Sequence, residues 1–211
     1  MIIYLHGFAS SIHSGKAAFL RERLRERGLD LVTPDLNLPD FSTLTVTRML
    51  EQTHALLAQS NEPATLIGSS LGGFVAVNAA VKWPDRVKGL VLMAPALDFS
   101  DASLSGPGGA KIQDWKRDGQ LMVFHYAYGR MLPIRYDLYE DARRYDAMTA
   151  PLSMPVLVFQ GKQDTAVNPR VVESWARDRP NVELHLLDDD HQLTASLPFM
   201  WEQLRTFLAL E

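Results

Sequence analysis

The sequence predicts a three-layer α/β/α architecture built on a mainly parallel sheet of six strands. Short apolar runs rich in β-branched residues alternate with stretches of helical periodicity, the pattern of a parallel sheet with helices on both faces. One of these runs leads through Gly68-Ser69-Ser70-Leu71-Gly72 directly into a helix, a strand-to-helix turn too sharp for an ordinary connection. At 211 residues the chain is long enough for one well-buried domain and short for two.

Strands are expected at residues 2–5, 31–33, 65–67, 89–93, 156–160 and 182–187, and helices at 15–27, 45–59, 71–83, 169–178 and 196–209. Gly28 closes the first helix and Pro84 stops the third. Trp83 and Trp201 read as packing on helix faces. Residues 98–150 form the exception, over fifty residues between two strands. A structureless loop of that length is improbable in a compact domain. Apolar residues at near-helical spacing predict helices over 112–128 and 136–148, and Ser105 to Gly109 reads as a flexible stretch. Five of the six tyrosines fall here, with Phe99, Trp115 and Phe124. The expectation is a small helical cap, residues 98–150, inserted in a single domain spanning 1–211.

Composition excludes several classes. With 46% hydrophobic and 22% charged residues the chain is an ordinary globular sequence, and a formal charge of −4 argues against binding nucleic acid. The absence of cysteine removes disulfides, thiolate metal sites and cysteine nucleophiles. No basic leader precedes the first apolar run, and none of the apolar runs approaches the ~20 residues of a membrane span. A cytoplasmic protein without a membrane partner is expected. Asp188-Asp189-Asp190-His191 has no second ligand cluster, so neither a metal nor another cofactor is implied.

The chemistry is read from Ser70. The flanking Gly68 and Gly72 suit a strained turn where strand and helix approach too closely for side chains. The serine is thereby exposed at the sheet edge, at the N-terminus of a helix. A serine hydroxyl needs a base, and the base an orienting acid. His191 follows the last strand. Asp164 follows the strand at 156–160 through Gly161, and Asp98 and Asp188 are its rivals. His13, His54, His125 and His185 lack a serine or acid partner by position. Two backbone N–H groups should form an oxyanion hole, that of Leu71 after the serine and that of Phe8 in His6-Gly7-Phe8. His6 reads as a residue that stabilises this loop, Ser69 as a local hydrogen-bonding residue, and Asp189 and Asp190 as solvated. Phe8, Trp115, Phe124 and Tyr128 are the candidates for a substrate pocket.

Together the elbow, the acid, the histidine and the His-Gly-Phe resemble an α/β-hydrolase-fold serine esterase over essentially the whole chain. Tyr4 to Phe8 and Gly68 to Gly73 are similar to small bacterial esterases of the YqiA type, and Gly68 through Val87 resembles ABHD-type thioesterases and acyl-glucuronide esterases. The resemblance implies hydrolysis of a small-molecule carboxylic ester or thioester through an acyl-enzyme on Ser70, with no cofactor. The same triad serves acyltransferases, perhydrolases and C–C bond hydrolases, and the fold also occurs in non-catalytic binding proteins. Two departures follow. The opening antiparallel strands of many members have no counterpart before Ile2, so the sheet order becomes 2-1-3-4-5-6. The histidine loop reads Asp-Asp-Asp-His where many relatives have Gly-x-x-His.

Overall fold

A computed structural model describes residues 1–100 and 109–210. Six strands form one sheet: β1 (Ile2–Leu5), β2 (Leu31–Val32), β3 (Ala64–Ser69), β4 (Val87–Met93), β7 (Val156–Gly161) and β8 (Val182–Leu187). The intervening β5 (Gln120–His125) and β6 (Arg130–Arg135) pair only with each other. The order is β2-β1-β3-β4-β7-β8, and all five pairings are parallel. Without the separate hairpin this is the expected 2-1-3-4-5-6.

The helices are α1 (Gly15–Arg25), α2 (Val46–Leu57), α3 (Leu71–Lys82), α4 (Gly109–Asp118), α5 (Asp137–Ala142), α6 (Pro169–Arg177) and α7 (Leu197–Phe207). Strand alternation divides the core in two. Ile2, Tyr4, Ile67, Val91, Leu157 and Phe159 pack toward α1 and α7, while Ile3, Leu5, Leu66, Leu90, Leu92 and Val158 pack toward α2, α3 and α6. Period-two residues buried on both sides are what make these strands continuous apolar runs. Helix ends follow their local chemistry. Ser14 caps α1 by accepting the Ala17 N–H, and Gly28, at φ +69°, closes it with its N–H on the Arg25 carbonyl.

Register decides where the loops emerge. Leu5 pairs with Gly68, Ser69 with Met93, and Gly161 with Leu187. β1, β3, β4, β7 and β8 therefore end along one edge of the sheet. That edge receives the loops carrying Phe8, Ser70, Pro95, Asp164 and His191.

The insertion differs from its predicted form. The helix expected over 112–128 ends at Asp118, and the rest is the β5–β6 hairpin. Of 136–148 only Asp137–Ala142 is α-helical. Two glycines explain the change. Gly119 (φ +72°) turns the chain out of α4, and Gly129 (φ +62°) closes the hairpin by donating to the His125 carbonyl at 2.8 Å. Between them, residues 120–125 alternate between outward and inward positions, a strand period that spaced apolar residues had disguised as helical. The stretch Ser105 to Gly109, apart from its last residue, lies outside the described residues. α5 is tied to α2 by Asp141, whose carboxylate accepts the Thr47 N–H (2.7 Å) and hydroxyl (2.6 Å). The hairpin tip rests on the loop after β1, with the Tyr126 N–H on the Ala9 carbonyl at 3.0 Å.

Candidate active site

Ser70 stands at φ +52°, ψ −119°, between the end of β3 and the first residue of α3. A non-glycine residue there is strained, and it persists only because its surroundings over-determine it. The Ser70 N–H donates to the Met93 carbonyl (3.0 Å), and its own carbonyl accepts from Gly73 (2.9 Å) and Ala96 (3.1 Å). The elbow is thus bolted to β4 and the residues beyond it.

The elbow glycines are there for space. A Cβ on Gly68 would strike the backbone of Gly72 and Gly73, and one on Gly72 would strike the carbonyls of Leu5 and His6. These are main-chain atoms that cannot swing aside. Gly72→Ala is expected to destabilise the protein by about 3 kcal/mol or more, the upper range for overpacking. For a chain of this size that lowers Tm by roughly 6–12 °C, readable by thermal circular dichroism. An unchanged Tm would contradict the close approach.

Asp164 lies four residues after Gln160 and is 6% exposed. One carboxylate oxygen accepts the N–H groups of Ala166 and Val167, both at 2.8 Å. The other accepts Gln160 Nε2 at 3.0 Å and His191 Nδ1–H at 2.8 Å. Burial pushes this carboxyl up, but the His191 bond, the Val167 N–H and Gln160 outweigh it and hold it below the ordinary carboxylate range. A carboxylate can only accept, so Nδ1 of His191 carries a proton, and in the neutral ring Nε2 is the nitrogen with the free lone pair. Of its rivals, Asp188 is exposed and accepts from Gln163 Nε2.

The Asp164 and His191 loops are held together by backbone. Lys162 N–H donates to Leu187 O (2.8 Å) and Gln163 N–H to Asp189 O (3.0 Å). Gly161 permits this, since a Cβ there would sit against the carbonyls of Asp189 and Asp190. Asp189, expected to be solvated, is instead 8% exposed. It accepts the Ser196 N–H (2.9 Å) and hydroxyl (2.8 Å) and the Asp190 N–H (2.8 Å). Its side chain fixes the turn that precedes His191, and an acid a few residues before a serine-headed helix was the available sequence signal. Asp190 is exposed. Gln160, also missed by sequence reasoning, is fully buried and donates to Asp164.

On the opposite side is the loop after β1. A Cβ on Gly7 would meet the Ser70 Cβ at 3.1 Å, so Phe8 follows a residue already in contact with the serine. His6 shapes this loop. The Leu36 N–H donates to its Nε2 at 3.0 Å, so Nδ1 carries the proton and donates to the Gly7 carbonyl at 2.9 Å. Burial pushes His6 below the usual histidine range, consistent with a neutral structural ring. Ser69 is buried, and its hydroxyl reaches the Tyr4 hydroxyl. Leu71 opens α3, where a first-turn N–H has no acceptor within the helix.

Of the four pocket candidates, the structure brings two together. Phe8 and Trp115 line an apolar cavity of about 90 Å³ with Phe99, Leu121, Val123, Ile134 and Leu138. Phe124 and Tyr128 do not reach it and are 46% and 49% exposed. β5 alternates, so Leu121 and Val123 face inward while Phe124 faces out. Among the described residues no cluster of three or more His, Asp or Glu groups is arranged to hold a metal ion, and no helix is long and apolar enough to cross a membrane.

A six-stranded parallel sheet with a strained serine at the β3–α3 turn, and with its loops gathered at the strand ends, is the α/β-hydrolase fold. Within it, the chain belongs to an uncharacterised protein family, UPF0227, whose model matches residues 1–208. It is similar to the pimeloyl-[acyl-carrier protein] methyl ester esterase of Xylella fastidiosa (strain 9a5c), 32% identical over 124 residues, which are 58% of this chain and 43% of that protein. The chain thus spans less than half the length of this curated relative. In structure it is similar to Est1E from Butyrivibrio proteoclasticus bound to ferulic acid (TM-score 0.84, 20% identity, 99% of this chain and 87% of that one). It is also similar to mouse alpha/beta hydrolase domain-containing protein 10 (TM-score 0.80, 21% identity, 99% and 86%).

Proposed function

We propose that the protein is a serine esterase that cleaves carboxylic esters or thioesters of small to medium acyl chains through an acyl-enzyme on Ser70. The observation that carries this reading is the Asp164–His191 bond at 2.8 Å, which makes Nε2 the free nitrogen of the neutral ring, on the sheet edge that also presents the strained Ser70. His191 Nε2 takes the proton from Ser70 as Oγ attacks the acyl carbonyl. The Leu71 and Phe8 N–H groups hold the oxyanion, and Asp164 stabilises the imidazolium. His191 returns the proton to the departing alcohol or thiol, and water repeats the sequence on the acyl-enzyme.

The apolar cavity beside Phe8 is the acyl site in this reading. At about 90 Å³ it is smaller than the ~150 Å³ engineered cavity that takes benzene, and a short aliphatic chain suits it. Esters of two to four acyl carbons should therefore be cleaved best in a p-nitrophenyl ester series. Val123→Trp, which fills the cavity from β5, is expected to lower the butyrate-to-acetate ratio of kcat/KM at least tenfold, in line with the roughly 1–3 kcal/mol that a single methylene commands in a pocket. An unchanged ratio would place the acyl chain elsewhere.

Labelling by a fluorophosphonate probe, with peptide mapping to Ser70, tests the nucleophile itself. A protein that leaves the probe unreacted and hydrolyses none of the esters or acyl thioesters would be a binding protein on this fold. The name of the Xylella fastidiosa relative adds methyl esters of carrier-bound acyl groups to the substrates worth assaying.

A further inference from the structure

Lys16 is a buried cation with no place in the chemistry above. It lies in the first turn of α1 and is 8% exposed. Two effects disfavour an ammonium there. Burial removes it from water, and the N-terminus of a helix carries positive partial charge. What it gains is specific. Its Nζ donates to the backbone carbonyl of His191 at 3.2 Å, joining residues 175 positions apart in the chain.

The charged groups acting on it come from two further loops, Asp164 after β7 and Asp189 and Asp190 after β8. Asp188, the other acid of that run, is engaged with Gln163. At the head of α1 the Tyr4 hydroxyl of β1 reaches Ser14. Burial pushes the lysine down to about 8 even against the pull of the three carboxylates.

We infer that Lys16 is a positioning residue for His191, its ammonium fixing the His191 carbonyl and counterbalancing Asp164, on the imidazole, together with Asp189 and Asp190 of the same loop as His191. The inference rests on His191 being the base of the proposed reaction. Without the cation, the remaining carboxylates favour a protonated imidazole, and the loop loses its anchor to α1. The ring then charges more readily at a given pH, so the acid limb of activity moves upward. Looser packing alone would lower the rate without moving that limb.

The test compares Lys16→Met and Lys16→Arg, with active sites counted by fluorophosphonate titration. Lys16→Met is expected to lower kcat for p-nitrophenyl butyrate at least tenfold, to leave KM within about threefold, and to move the acid limb of kcat/KM up by at least half a pH unit. Lys16→Arg should restore most of the rate and the limb. Because the chain has no cysteine, Lys16→Cys gives a second comparison. Alkylated under denaturant and refolded, its aminoethyl form should outperform its neutral carbamidomethyl form on the same backbone. If Ser70→Ala is inactive while the neutral variants keep the wild-type rate and limb, the role of Lys16 is wrong and the esterase reading stands. If Ser70→Ala is fully active, the esterase reading fails and this inference fails with it.

Discussion

Ser70→Ala is expected to lower kcat for p-nitrophenyl butyrate by on the order of 10⁴ or more, while leaving Tm within a degree or two of wild type. Residues that act as one catalytic unit lose most of the unit's effect when any one is removed, and only binding and oxyanion stabilisation survive. The fold should tolerate the change. Alanine keeps the Cβ, so the φ of +52° costs about what it already does, and the three backbone bonds that bolt the elbow do not involve Oγ. Active-site-normalised hydrolysis and loss of fluorophosphonate labelling are the measurements. A variant within tenfold of wild type would remove Ser70 from the mechanism.

The second large effect is expected of Asp164→Asn, a fall in kcat of roughly 10³–10⁴, the scale known for a triad acid made neutral. The hydrogen bonds show why a substitution of nearly the same shape is so costly. If the asparagine oxygen keeps the N–H groups of Ala166 and Val167, its NH₂ must face Gln160 Nε2 and His191 Nδ1–H, donor against donor. Gln160 can relieve its half by turning its amide, since its Oε1 is buried without a partner among the described residues, but only by giving up its Nε2 bond to the Gly161 carbonyl (3.1 Å). His191 can relieve its half only by moving its proton to Nε2, where it can no longer serve as a base.

Asp164 also bears on stability against pH. Its folded carboxyl is held below the ordinary carboxylate range. A depressed acid contributes stability that is fully present above that range and is lost as pH falls through the folded value. The wild-type Tm should therefore drop as pH falls from about 5 toward 3, and Asp164→Asn should drop less steeply. Equal slopes in the two proteins would mean that Asp164 is not the group responsible.

Most of the sheet was legible because its signals are local. Strands such as Leu157 to Phe159 are continuously apolar and bounded by turns, so their existence and their order along the chain could be read directly, while their order in the sheet followed from the family resemblance. Ser70 was legible for the same reason: the steric demand that makes Gly68 and Gly72 necessary acts within five residues. The insertion was harder. Its helix and its hairpin both carry spaced apolar residues, and only the left-handed conformations of Gly119 and Gly129 separate them. Phe124 and Tyr128 were placed in a pocket on residue type, whereas the phase of β5 turns Leu121 and Val123 inward instead.

Groups that act across the fold left little trace in the chain. Asp189 was read as solvated because a run of three acids is usually a water-facing turn, yet its contacts with Ser196 bury it. Lys16 sits in an unremarkable helix start, and its partner is 175 residues away. The sequence by itself determined the strands of the sheet and the helices flanking it, their order along the chain, the strained serine turn and the loops that bear the acid and the histidine, because spacing and sterics within a few residues decide these. Only the tertiary structure decided which acid meets His191, which face of the hairpin lines the cavity and what a buried lysine holds. Those depend on strand register and on the desolvation of charges, and neither exists until the sheet has brought distant residues to one edge.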